Sequence, residues 1–167
     1  MSGKIKKSTF ERGTFKKKIN NALYSNKDIR ELLIGNTEGM TTKEIRTAFK
    51  KYVKSHLFID DTITDTKSYI FYDVRMPYIR STTKTCKVVM YVLCHKDILE
   101  DDCDFVGYFG NRADILSEMI ENCLLNDEEV AKYFGIGDLQ LESVDIFNNS
   151  KRFYGLQMIF DVPNFRW

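Results

Sequence analysis

The residues of this 167-residue chain best equipped for chemistry are two histidines, His56 and His95, and four cysteines, Cys86, Cys94, Cys103 and Cys123. Separations of seven, eight and nineteen residues between the cysteines fit neither a CxxC redox pair nor the paired spacing of a zinc site. Their surroundings are largely apolar, so reduced thiols packed as small hydrophobes are expected. No HExxH or related ligand spacing joins the histidines. In Cys94-His95-Lys96-Asp97 a thiol stands next to a base, but neighbours on a strand point to opposite faces and cannot share the hydrogen bond a nucleophile needs. Glu100, Asp101, Asp102 and Asp104 crowd into one loop without the ligand spacing, glycine bend and closing glutamate of an EF-hand, so a solvated or partner-facing loop is expected. Gly107, Gly110, Gly135 and Gly137 make neither a GxGxxG nor a Walker loop. Neither catalysis nor a bound cofactor or metal is expected from these residues.

The charge distribution says more. The formal net charge is +1, yet residues 1–54 carry fourteen Lys and Arg against five Asp and Glu, whereas residues 55–167 carry eleven against nineteen. A basic arm for nucleic acid or an acidic partner, head-to-tail association of copies, and a solvated lysine-rich helix face are all compatible with that asymmetry.

The elements that must carry these residues follow from periodicity. Phe15, Ile19 and Leu23, then Ile29, Leu32 and Leu33, predict helix over residues 9–34 with a break at Ser25-Asn26. Thr41, Thr42 and Glu44 open a second helix, expected over 42–57, with Ile45, Phe49, Tyr52, Val53 and Leu57 on one side and Lys43, Arg46, Lys50, Lys51 and Lys54 on the other. Tyr69–Val74 and residues 85–94 read as strands, the second apolar enough to be buried on both faces or in a subunit interface. Asn111 caps a helix running to Leu125, and a shorter helical piece is expected over 127–134. Residues 139–146 and Phe153–Val162 read as an antiparallel pair joined through Asn148, Asn149, Ser150 and Lys151. The apolar, aromatic end Pro163–Trp167 is expected to dock on the body or on a neighbour.

This order predicts an α+β fold: a mostly antiparallel sheet of about four strands packed against helices, with a helical basic N-terminal region over 1–58 and an α+β core over 59–167. At 43% hydrophobic residues the chain can build one core, and no apolar run reaches a membrane span; a soluble, cytosolic protein is expected.

The second half resembles the tail-terminator (tail-completion) proteins of tailed bacteriophages. The resemblance rests on Val92-Leu93-Cys94-His95 closing a strand, Gly110-Asn111-Arg112-Ala113-Asp114-Ile115-Leu116 opening a helix, Arg152-Phe153-Tyr154-Gly155-Leu156 and Phe160-Asp161-Val162 in the paired strands, and the Tyr69–Arg80 segment. It implies a structural virion protein of the tail or neck, assembled in the host bacterial cytoplasm, with no enzymatic activity and no cofactor. Copies would form a ring, commonly of six, on the last ring of tail tube protein. The ring would stop tube growth, join a head-side connector, adaptor or sheath protein, and let DNA pass through its lumen without reading bases, with no membrane involved. The basic first third and the acidic loop would supply the two complementary patches of a heterologous ring, and Arg112 and Asp114 would either bond a neighbour or serve as ordinary helix caps. Residues 1–40 are expected to be removable without loss of the fold. The other reading is a DNA-binding protein using helix 42–57, with Lys43, Arg46, Lys50, Lys51 and Lys54 on phosphates.

Overall fold

The computed structural model of the chain describes residues 8–80, 84–101, 105–133, 138–147 and 150–162. Helix α1 (Ser8–Ser25) follows the four-residue apolar spacing, and Phe15, Ile19 and Leu23 are fully buried. It stops where Asn26 turns extended and its side-chain oxygen accepts the Ile29 amide at 3.0 Å, capping α2 (Lys27–Ile34). A capping box of Thr41 and Glu44 opens α3 (Thr42–Tyr52).

The basic helix expected over 42–57 ends at Tyr52. The Val53 amide still donates to the Phe49 carbonyl, but its backbone is already extended, and Val53–Lys54 forms β1, parallel to the next strand at Ile70 and Phe71. A β-branched residue after an aromatic one favours the sheet, and Val53 is buried there. Lys54 therefore lies on a strand rather than on the helix face, and Leu57 packs on the core from beyond β1.

The four expected strands are β2 (Ser68–Arg75), β3 (Cys86–His95), β4 (Gln140–Ile146) and β5 (Phe153–Val162). With β1 they make a five-stranded sheet in the order β1-β2-β3-β5-β4, antiparallel everywhere except β1–β2. The fifth strand has only two residues, too few to leave an alternating pattern in the sequence. β3 is central, which accounts for its apolar run.

Helix α4 (Arg112–Asn126) starts at a second capping box, Asn111 with Asp114, and α5 (Glu128–Ala131), capped by Asp127, is shorter than the stretch expected over 127–134. α4 crosses β3 and β5 while α1 lies on β2, so the protein has one helical layer on one sheet face. On that face Tyr72, Met90 and Met158 are neighbours across three strands, all buried. The Tyr72 hydroxyl donates to the Lys16 carbonyl of α1 at 3.1 Å. Past the end of β1, the outer edge of β2 is met by α1: Arg12 Nε donates 2.7 Å to the Val74 carbonyl, and Asp73 pairs with Arg12 and, at 2.7 Å, with Lys16.

On the opposite face Tyr91 stacks on Phe147, with ring centroids 4.0 Å apart, over the glycine position at Gly155. There the Phe147 amide donates 2.8 Å to the Gly155 carbonyl and fixes the start of the β4–β5 connection, of which Asn148 and Asn149 lie outside the described residues. Phe15, Ile19 and Leu23 of α1 and Ile29, Leu32 and Leu33 of α2 belong to the same hydrophobic cluster as the sheet. The expectation that residues 1–40 can be removed without loss of the fold runs against this packing, because the cut would strip these six side chains and that of Ala22 from the core.

Candidate functional site

The thiols are packing residues. Cys86 and Cys94 are wholly buried on β3, and burial pushes the Cys86 thiol up to about 12 and that of half-buried Cys123 up to about 11, far from the thiolate a nucleophile requires. Cys94 Sγ accepts the Ser68 hydroxyl at 3.4 Å, and the Cys123 thiol donates to the Ala22 carbonyl. His95 is also buried; its Nδ1 accepts the Asp97 amide at 3.1 Å and its ring meets Phe153 edge-on. Cys103 lies outside the described residues. Among the described residues no group of three or more His, Cys, Asp or Glu could hold a metal ion.

The two residues at the start of α4 are engaged within the chain. The Asp114 carboxylate accepts the Asn111 amide at 3.0 Å, while Asn111 accepts the Asp114 amide in return. Arg112 reaches back across the helical layer and donates to the Leu32 carbonyl at 3.2 Å, and its amide donates to Leu99. Within the chain, Asp114 closes the capping box and Arg112 tethers α4 to α2. Glu100 and Asp101 are exposed, and Asp102 and Asp104 lie outside the described residues. Val106 and Phe109, on the way to α4, are exposed.

The five cations expected on one helix face are parted by the tertiary structure. Lys43, near the start of α3, is exposed. Arg46 lies 4.5 Å over the ring of Tyr24 on α1. Lys51 is held 2.9 Å from Asp65. Lys50 and Lys54 line a groove of about 550 Å³ with Lys16, Lys17 and His56. The contribution of α1 to this groove was not singled out in the sequence, although the run Lys16-Lys17-Lys18 marks it. Gly13, Lys16, Lys17, Asn20 and Asn21 fall at helical spacing on one face of α1 and line the groove together. A second cavity on the other side of Lys54 and His56 differs in kind, since its walls include Asp60 and Asp65.

No described helix is long and apolar enough to cross a membrane. No curated protein matches the sequence. The family model YomW matches residues 17–162, and its name is that of a Bacillus phage-type gene product, which associates the chain with phage. With that match running from within α1 to the last residue of β5, the chain belongs to the YomW family.

Proposed function

We propose that the protein is a structural component of a phage tail and neck, a tail terminator whose copies associate head to tail into a ring of about six on the end of the tail tube. The ring stops tube polymerisation and offers its free face to a head-side connector or sheath protein, and the protein performs no catalysis.

The observation that supports this reading is the unlike character of the two edges of the sheet. The β1 side is flanked by α3, whose last turn carries Lys50 beside a Lys51 that Asp65 already neutralises, and β1 itself has only two residues. At the other edge β4 holds Asp145, with Glu142 paired at 2.6 Å to Lys87 of β3, and leaves Val144 and Ile146 exposed. A seven-residue edge strand with exposed apolar side chains is a place for another chain to add, and unlike edges on one protomer favour a heterologous contact that closes into a ring. Exposed Val106 and Phe109 offer a further contact for the tube or the connector.

The test is the mass in solution by light scattering after size exclusion, with and without tail tubes. Closed rings, or monomers that become rings on tube ends, are the expected result. A monomer or dimer that ignores tubes overturns the reading.

A further inference from the structure

We propose that the groove between α1 and the α3–β1 junction is a binding site for the phosphodiester backbone of duplex DNA. This goes beyond the ring reading and stands or falls without it.

Three cations converge on the groove from three elements: Lys17 from α1, Lys50 from α3 and Lys54 from β1. Among the described residues none of them has an ion-pair partner, and no Asp or Glu lines the groove. The fourth lysine, Lys16, is spent on the fold: it sits 2.7 Å from Asp73 and donates 2.8 Å to the Ser55 carbonyl. Gathering unpaired like charges round one concavity is unfavourable until an anion enters, and a concave wall focuses their field.

The shape is open for such a ligand. Gly13 lies one helical turn before Lys17, and a Cβ placed there would meet nothing within 4 Å. His56 adds a donor: its Nδ1 accepts the Phe58 amide at 3.2 Å, which leaves Nε2 to carry the ring proton.

The chemistry selects a repeated phosphodiester over a single terminal phosphate. A terminal phosphate is usually cradled by a helix N-terminus or a nest of backbone amides, whereas lysines on flexible stems serve as separate point charges along a backbone. The groove offers no platform for unstacked bases, because the one tyrosine in its wall, Tyr72, is buried and bonded to Lys16. Duplex DNA bound without regard to sequence is the ligand that fits.

The experiment is fluorescence anisotropy of a labelled duplex of arbitrary sequence with the full chain, titrated with salt. Three lysines on phosphates predict a slope of log affinity against log salt of about −3, and Lys17→Ala, Lys50→Ala or Lys54→Ala should each flatten it by roughly one phosphate's worth. Gly13→Glu, which the space at that position accommodates, should fold with a melting curve at or somewhat above that of the parent, since glycine is a poor residue inside a helix, and weaken binding on the order of tenfold or more. Lys43→Ala, outside the groove, should leave affinity within about twofold. Equal losses in Lys43→Ala and Lys50→Ala, or full binding by a folded Gly13→Glu protein, would overturn the site. Displacement of the duplex by pyrophosphate at matched ionic strength would overturn the ligand in favour of a terminal phosphate. If the duplex is not bound at low salt and the same groove variants lose self-association by light scattering, the groove seats another copy and the proposal fails. Mass measured on the same samples keeps this result separate from that of the ring test.

Discussion

Lys84 shows how a single residue can commit the fold. Its side chain has no exposed surface and is paired with Glu11 of α1, itself largely buried, so that one ion pair ties α1 to the approach to β3. Removing one partner strands the other charge out of water, which costs more than the pair gains. Lys84→Met is expected to lower unfolding free energy by about 3 kcal/mol, and adding Glu11→Leu should recover most of that loss, measured by denaturant titration as a double-mutant cycle. Buried titratable groups give a second residue-level expectation. Burial raises the Cys86 thiol to about 12 from an ordinary value near 9, and the Tyr69 hydroxyl to about 12 from near 10. Between those limits the unfolded chain has lost protons that the folded chain retains. Their stabilising contribution is therefore complete below about pH 9 and declines as pH rises toward 12, by up to about 1.4 kcal/mol per pH unit for each group. Urea melts at pH 8, 10 and 11 should show the decline. Cys86→Ala should reduce the pH slope of the decline.

At the scale of elements, the β4–β5 pair depends on one missing side chain. A Cβ at Gly155 would lie 2.6 Å from the Phe147 carbonyl oxygen and 2.7 Å from Leu93, under the stacked rings of Tyr91 and Phe147. The carbonyl belongs to the backbone and cannot swing away, so Gly155→Ala is expected to cost about 2 kcal/mol and to loosen β4 first, seen as faster amide exchange from Gln140 to Ile146. The helix starts obey simpler rules. Thr41 with Glu44 and Asn111 with Asp114 could be read as caps from the sequence because capping is settled within four residues. The end of α3 could not, since Val53 leaves the helix only because β2 is there to pair with it.

For the whole molecule, removal of residues 1–40 is expected to abolish the cooperative melt, because Phe15, Ile19, Leu23, Ile29, Leu32 and Leu33 would leave a core shared with the sheet. Differential scanning calorimetry of the shortened chain checks this, and a sharp native-like transition would refute it. The α+β class, the four main strands, the antiparallel β4–β5 pair and the caps were all legible in the sequence, because alternation, helical spacing and cap chemistry are local. The pattern of Phe15, Ile19 and Leu23 announced a buried stripe without naming what buries it. Likewise Lys43, Arg46, Lys50, Lys51 and Lys54 read as one cationic face, yet Tyr24, Asp65 and the turn into β1 divide them, and Lys17 of α1 joins two of them at a groove. Local pattern determines where the chain helps itself into helix or strand. Which charges are neutralised, which face is shared and which cations stand together depends on partners tens of residues away, and only closure of the sheet under its helices brings those partners within reach.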